Sequence, residues 1–89
     1  ALPISPVLEN NASPNNIAIA WKEKSKDAKF EIQLSGGGGQ FLTVYEGTVE
    51  ATNELTNYRF KGTTASDIRI VITSGNASIS EVKIKELKN

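Results

Sequence analysis

The alternation of apolar and polar residues between positions 17 and 35 restricts this chain to a sheet fold more strongly than any other feature. Residues 17–21 place Ile and Trp on one strand face and two alanines on the other, which predicts a strand buried on both sides. Residues 30–34 alternate apolar residues with Glu and Gln, which predicts a strand buried on one side only. A lysine-rich segment separates them, so we expect two neighbouring strands joined by a short solvated loop.

Further short strand patterns follow along the chain, at 41–45, 58–61, 68–73 and 79–87. Turn-forming residues separate them, and the four consecutive glycines at 36–39 predict a hairpin because glycine adopts positive φ at little cost. Only residues 49–55 could form a helical turn, and their Thr and Asn content disfavours one. The sequence therefore predicts an all-β fold, a small antiparallel β-sandwich of six or seven short strands.

The first residues differ in composition from the rest. All three prolines and four asparagines occur within the first sixteen positions. Because proline lacks an amide hydrogen and favours extended backbone before it, we expect residues 1–15 to form an extended lead-in, or an edge strand near residues 4–8, followed by a turn at 10–16. The β-sandwich binding module is then predicted over 16–89. The chain starts at Ala1 and contains no Met, so we expect a processed or excised piece.

Composition excludes most catalytic chemistry. The chain has no His and no Cys, which removes nucleophilic triads, thiolate nucleophiles and the usual zinc ligands. Its ten carboxylates include no pair in the kind of apolar setting that raises a catalytic pKa. We therefore predict no catalytic residue, no metal ligand and no cofactor, and expect that the chain alone is not an enzyme.

The charge balance also limits the partners. Ten Lys and Arg residues balance ten Asp and Glu residues, whereas nucleic-acid binders usually carry a basic excess. No apolar run approaches the length of about 20 residues that spans a membrane. We therefore expect neither a nucleic-acid partner nor a membrane partner.

Two groups of residues are candidates for binding. Trp21 has the aromatic face of a sugar platform, but its register with Ile17 and Ile19 favours a role in the core. Four lysines crowd residues 22–29, and Arg59 and Lys61 share a strand face. These cations are typical of solvated sheet edges, and we prefer that interpretation, while a cationic surface for an anionic polymer stays open.

Several motifs occur in a fixed order along the chain. They are a strand ending in Trp at 17–21, an aromatic-x-Ile-x-x-Ser strand at 30–35, a glycine hairpin at 36–39, Val-Tyr-Glu-Gly at 44–47, Tyr-Arg-Phe at 58–60, Ala-Ser-Asp-Ile-Arg-Ile at 65–70, and Ser-Ile-Ser-Glu-Val at 78–82. In this order they resemble the coagulation factor V/VIII type C, or discoidin, domains, and especially the family 32 carbohydrate-binding modules. The resemblance covers about residues 16–87.

This resemblance implies a jelly-roll, galactose-binding-domain-like sandwich, with this chain matching its C-terminal part. The matching positions are scaffold, which implies structural roles for Trp21, Ser35, Gly47, Arg69 and Glu81, including a pairing of Arg69 with Glu81 across adjacent strands. Complete modules are longer, and their first half, with its calcium loop and an aromatic-rich part of the sugar site, is not recognisable in residues 1–15. The chain is therefore either a shortened sandwich or a fragment completed by another chain, and calcium binding is not carried over.

The function implied by the resemblance is a non-catalytic carbohydrate-binding module of a secreted bacterial polysaccharide-degrading enzyme. Its location would be secreted or periplasmic, and its partners a polysaccharide or oligosaccharide and its own catalytic domain or a second chain. An acidic polysaccharide such as alginate would give the cations a role. Loop residues at one end of the sandwich are then predicted to bind it: Lys24, Lys26, Tyr58, Arg59 and Asn76. The alternative is an N-terminal extension or pro-domain that packs on a lyase or hydrolase domain and assists its folding.

Overall fold

Two antiparallel sheets form the fold in a computed structural model, which describes residues 3–4, 7–36, 38–50 and 52–85, with side chains from residue 13 onward. Every regular element among these residues is a strand: β1 (Pro3–Ile4), β2 (Val7–Ala12), β3 (Asn16–Lys24), β4 (Lys29–Ser35), β5 (Leu42–Thr48), β6 (Leu55–Arg59), β7 (Ala65–Ser74) and β8 (Ala77–Lys85). One sheet has the order β1-β7-β4-β5, with β2 also paired to β7, and the other has the order β6-β3-β8. The predicted all-β sandwich is confirmed, with eight strands among the described residues where the sequence predicted six or seven.

The lead-in pairs with the sandwich through β7. Pro3 lies opposite Val71, and Val7 lies opposite Asp67, so β1 and β2 both extend the larger sheet at its β7 side. The predicted edge strand is therefore present, and β2 continues to Ala12. The turn before β3 shortens to residues 13–15, whereas the sequence predicted a turn at 10–16. The domain boundary after residue 15 stays a prediction.

The core lies between the two sheets and is built from the alternating residues that the sequence singled out. Its fully buried members are mainly isoleucines and aromatic residues from β3, β4 and β7: Ile17, Ile19, Trp21, Phe30, Ile32, Ile68 and Ile70. The other face of β3 carries Ala18 and Ala20, which are also buried, so the prediction of a strand buried on both sides is confirmed. Small side chains suit this strand because it is central, with β6 and β8 beside it.

Four aromatic rings join the two sheets. The Phe30 ring lies 5.1 Å from Trp21, 5.0 Å from Tyr58 and 5.8 Å from Tyr45, centroid to centroid. Such distances and tilts are favourable for aromatic pairs. Gly47 lies opposite Phe30, and a Cβ there would approach Tyr45 Cε1 to 2.8 Å. The cluster therefore needs the space that Gly47 leaves.

The connections that follow β4 and β5 agree with the sequence patterns. The glycine hairpin is confirmed, since β4 pairs with β5 and Gly39 has a φ of 79°. No helical turn forms in the described residues of 49–55, where the chain is irregular up to β6. The reason is that two amides there bond to other strands or turns: Val49 N–H donates to the Ala28 carbonyl at 2.8 Å, and Asn53 N–H donates to the Trp21 carbonyl at 2.7 Å.

Candidate functional site

A cleft opens at one end of the sandwich, where the β3–β4 turn meets the β7–β8 turn. Its volume is ≈ 470 Å³, which lies in the range of small-molecule sites. Its lining combines polar side chains with the apolar Ile72 and Ala77 and consists of Glu23, Lys24, Ser25, Ile72, Gly75, Asn76, Ala77 and Ser78. We call these residues the turn cleft.

The two turns are joined by a reciprocal pair of hydrogen bonds. Ser25 N–H donates to the Asn76 carbonyl at 2.8 Å, and Asn76 N–H donates to Ser25 Oγ at 2.8 Å. Gly75 has a φ of 72°, a region that favours glycine, and a Cβ on it would lie 2.5 Å from Ser25 Oγ. The wall of the cleft therefore depends on a glycine at position 75 and a hydroxyl at position 25.

Irregular pairing directs the side chains of the other wall. The ladder between β3 and β8 changes register between Ala20 and Trp21 and again between Trp21 and Glu23, which leaves Lys24 opposite Ala77. Such bulges commonly re-aim side chains near functional sites. An ammonium, a carboxylate and an exposed amide thus surround the half-exposed Ala77 and the buried Ile72. This arrangement can bind an anionic group together with hydroxyl groups.

The structure brings together only part of the set predicted to bind. Lys24 and Asn76 both line the turn cleft, and Lys26 is exposed in the adjoining turn. Arg59 lies opposite Asn16, at the far end of β3 from Lys24. Tyr58 is 8% exposed and belongs to the aromatic cluster. The five residues therefore do not form one site.

Tyr58 reaches a second, more acidic cleft of ≈ 440 Å³, which we call the tyrosine cleft. It is lined by Tyr45, Gly47, Thr48, Glu50, Glu54, Thr56 and Tyr58. Burial raises the pKa of the Tyr58 phenol, while the hydrogen bond donated by Trp21 Nε1 at 3.2 Å opposes that rise. Its two glutamates make this cleft unfavourable for an anionic ligand.

Arg69 lies in a polar network on the outer face of the larger sheet. Its Nε donates to Gln33 Oε1 at 2.6 Å, and its guanidinium lies 3.8 Å from the centre of the Phe41 ring. Gln33 Nε2 and Thr43 Oγ1 donate to Glu31 Oε1 at 3.0 and 2.7 Å, and the Thr43 bond, followed by that of Gln33, lowers the pKa of the Glu31 carboxyl. Through these contacts Arg69 on β7 is linked to residues of β4 and β5.

The expected pairing of Arg69 with Glu81 is wrong. Arg69 lies on β7 in the larger sheet, whereas Glu81 lies on β8 in the smaller sheet, opposite Ala20. The two strands follow each other along the chain, but the connection between them crosses from one sheet to the other. Glu81 lies instead 3.9 Å from Lys83 Nζ.

The remaining scaffold positions occupy the interior or its rim. Trp21 is fully buried, so its face is not available to stack on a sugar. Ser35 is buried at the end of β4, where its carbonyl accepts a hydrogen bond from Ser66 Oγ at 3.4 Å. Gly47 lies beside the rings of Phe30 and Tyr45.

Six residues of the turn cleft were not among those predicted to bind: Glu23, Ser25, Ile72, Gly75, Ala77 and Ser78. The only sequence signals were a serine within the lysine-rich segment and a Ser-Gly-Asn turn before the last strand. Neither signal shows that the two turns meet. Across the part of the chain that the structure describes, no group of three or more Asp or Glu side chains could hold a metal ion. The same residues include no helix that is long and apolar enough to cross a membrane.

Comparison with known proteins identifies the family. No protein-family model matches the sequence, and no curated protein matches it. A solved structure does match, the family 32 carbohydrate-binding module of AlyQ in complex with 4,5-unsaturated mannuronic acid, with a TM-score of 0.80 and 30% sequence identity. The match covers 96% of this chain and 70% of that chain.

The two-sheet fold and this match define the class of the protein as a discoidin-like carbohydrate-binding β-sandwich. Within that class, the chain belongs to the family 32 carbohydrate-binding modules. Family 32 members are non-catalytic binding modules, and the chain by itself is therefore a binding module.

Proposed function

We propose that this module binds acidic oligosaccharides built from uronate residues of the alginate type, and that it binds them in the turn cleft. The observation that carries the proposal is the likeness, at 30% identity over 96% of this chain, to a module solved with 4,5-unsaturated mannuronic acid. A uronate ligand presents one carboxylate among several hydroxyl groups. The turn cleft offers groups suited to both.

The chemistry of the cleft supports a terminal sugar rather than a long chain. Lys24 can bind the carboxylate, and the exposed Asn76 amide and Ser78 hydroxyl can bind sugar hydroxyls. Glu23 can accept a hydrogen bond from a hydroxyl and disfavours a second carboxylate beside it. Because Lys24 is only half-buried, salt should weaken the interaction.

In this proposal the module belongs to a secreted or periplasmic bacterial enzyme that degrades polysaccharides. It would hold the catalytic domain of that enzyme on its polymer and raise the local concentration of the enzyme, for which weak affinity is sufficient. Its partners are the sugar and that catalytic domain.

The alternative role, an extension that packs on a catalytic domain and assists its folding, would be favoured by a continuous exposed apolar face. Among the side chains that the structure describes, the large exposed apolar ones are Leu42 and Leu55. They lie on β5 and β6, in different sheets. These two positions do not make a shared face, so we do not adopt this alternative.

Titration calorimetry with two matched ligands tests the proposal. We expect binding of a short unsaturated mannuronate oligosaccharide and much weaker binding of the neutral mannose oligosaccharide of the same length. Lys24→Gln and Asn76→Ala should each weaken binding of the acidic ligand about five- to tenfold, since the first removes the cation that binds the carboxylate and the second removes a hydrogen bond to a sugar hydroxyl.

Lys61→Gln is the control, because this exposed lysine follows β6, which ends at the opposite end of β3 from the turn cleft. It should leave the affinity for the short ligand unchanged. Equal affinity for the acidic and the neutral ligand would refute the choice of ligand class. An equal loss in Lys61→Gln and Lys24→Gln would refute the choice of site.

A further inference from the structure

The outer face of the smaller sheet carries a second concentration of positive charge, far from the turn cleft. Residues directly opposite each other in an antiparallel sheet point to the same face, and successive residues alternate. Ile17, Ile19 and Trp21 point to the core, so Asn16, Ala18 and Ala20 point outward. Their partners on β6 and β8 complete the outer face in three rows: Arg59–Asn16–Lys85, Asn57–Ala18–Lys83 and Leu55–Ala20–Glu81.

This outer face is strongly biased in charge. Among its described residues, Arg59, Lys83 and Lys85 are exposed cations and Glu81 is the one carboxylate. The whole chain is neutral, with ten residues of each sign, so charge is segregated over the surface. Glutamates lie elsewhere, as at Glu50 in the tyrosine cleft.

The one carboxylate does not neutralise the face. Glu81 lies 3.9 Å from Lys83 Nζ, and their side chains are 52% and 54% exposed. Ion pairs this exposed contribute little, so Lys83 can exchange Glu81 for another anion at small cost. No described carboxylate lies within ion-pair distance of Lys85 or Arg59.

The shape of the face fits a polymer better than a small molecule. Its middle column, Asn16, Ala18 and Ala20, is buried, so a ligand can reach only the exposed side chains of the two outer columns. Asn16 Nδ2 donates to Asn57 Oδ1 at 3.1 Å, which further closes the middle of the sheet. The exposed part of this face therefore offers cations and an amide to a ligand lying across it.

The spacing of the cations matches a ligand with repeated charges. Lys83 and Lys85 are two residues apart on one strand, which corresponds to roughly 7 Å, and Arg59 lies two strand spacings from Lys85, roughly 10 Å. A polyuronate chain carries a carboxylate on every sugar and can therefore place different carboxylates near different cations. A ligand with a single charge could engage only one of them.

Protection of the sheet edges is the simpler explanation for lysines on β8, because charged side chains discourage edge strands from pairing with other chains. It accounts for each edge separately. It does not account for Arg59 on β6 and Lys85 on β8 lying in the same row and on the same side, at opposite edges of the sheet.

We infer that this surface, Arg59, Lys83 and Lys85 with Asn57, is a second binding surface that holds the interior of a polyuronate chain. The ligand class rests on the proposed function, whereas the surface itself is independent of the turn cleft. The two sites then bind different parts of the polysaccharide. The turn cleft binds its end, and the face of the smaller sheet binds sugars in its interior.

The test compares long polymannuronate with a short mannuronate oligosaccharide on the same protein, by calorimetry at low and at physiological salt. We expect the long chain to bind more tightly per molecule, with a steeper loss of affinity as salt increases. Lys83→Glu and Lys85→Glu should each weaken binding of the long chain about fivefold, and the double variant at least tenfold, since each reversal removes one charge contact. Binding of the short ligand should stay unchanged.

Lys29→Glu is the matched control, because it is an exposed lysine on β4 in the other sheet and changes the net charge equally. An equal effect of Lys29→Glu on the long chain would overturn the inference. So would binding of polyglutamate as tightly as polymannuronate, since the surface would then attract any polyanion. If Lys24→Gln abolishes binding of long and short ligands alike, only the chain end is bound and the inference fails. If the short ligand does not bind but the long chain does, and Lys85→Glu weakens it, the proposal for the cleft fails while this one stands.

Discussion

Ser25 and Asn76 hold each other through two hydrogen bonds, each 2.8 Å long, although they lie in different turns of the chain. The Ser25 amide donates to the Asn76 carbonyl, and the Asn76 amide donates to the Ser25 hydroxyl. This pair joins the turn after β3 to the turn after β7, and both turns line the turn cleft. The affinity of the cleft for its ligand should therefore depend on the hydrogen bonds between Ser25 and Asn76, even if the ligand contacts neither bond.

Ser25→Ala removes the hydroxyl acceptor and leaves the other bond of the pair. We expect the free energy of unfolding to fall by about 0.5–1 kcal/mol, because the exposed Asn76 amide can bond to water instead. Binding of the short uronate ligand should weaken at the same time. Denaturant unfolding and calorimetry measure the two effects. Ser74→Ala is the control, since Ser74 is exposed at the end of β7 beside the same turn, and equal losses in both variants would contradict the role of Ser25.

Gly75→Ala should be more damaging than Ser25→Ala. The φ of Gly75 is 72°, and an added Cβ would lie 2.5 Å from Ser25 Oγ, so the substitution strains the backbone and separates the two turns. We expect a loss of about 1–3 kcal/mol in denaturant unfolding. Gly36→Ala is the matched control, because a Cβ there would meet nothing within 4 Å. The same loss at both positions would show that the clash at Gly75 has no effect.

Burial of the Tyr58 phenol makes stability depend on pH in the alkaline range. Burial raises the pKa of the Tyr58 phenol above its ordinary value of 10.0, so the fold favours the protonated form. This contribution is complete below about pH 10 and is lost as pH rises through the higher pKa of the folded state. We expect the unfolding free energy to fall more steeply above about pH 10 in the unmodified chain than in Tyr58→Phe.

The comparison at neutral pH isolates a separate effect of the same substitution. Tyr58→Phe removes the acceptor of the Trp21 indole N–H, which should cost about 1 kcal/mol at any pH. Denaturant unfolding at about pH 7 and about pH 11 separates the constant loss from the pH-dependent one. If the unfolding free energy fell by the same amount with rising pH in both proteins, the assignment of the alkaline loss to Tyr58 would be contradicted.

Arg69→Lys should destabilise the chain because a lysine cannot reproduce both contacts of the guanidinium. Arg69 bonds to Gln33 at 2.6 Å and stacks on Phe41 at 3.8 Å. We expect a loss of about 1–2 kcal/mol in thermal or denaturant unfolding and no change in binding of the short uronate ligand. Arg59→Lys is the control, since Arg59 is exposed on β6 and keeps its charge in that variant. Equal stability of the two variants would mean that Arg69 has no structural role.

Most of the scaffold could be predicted from local patterns. Period-two alternation marked the strands, and the glycine run marked the hairpin, because both depend on residues that are close in sequence. The predicted turn at 10–16 was too long, because the backbone there bonds to strands distant in sequence, as the Asn15 amide does to the Lys85 carbonyl. Arg69 and Glu81 were paired wrongly for the same reason, since the pattern of β7 and β8 does not show that they join different sheets.

By itself the sequence determined the class of fold and the buried isoleucines and aromatic residues of the core, because hydrophobic alternation and turn residues act locally. It also supplied the order of motifs by which the family 32 modules are recognised. Only the tertiary structure decided which polar residues meet. It brought Lys24 and Asn76 to one end, put Tyr58 in the core and placed Arg59 in the same row of the smaller sheet as Lys85. The proximity of these residues depends on strand register and on which sheet each strand joins, and both are set by long-range pairing.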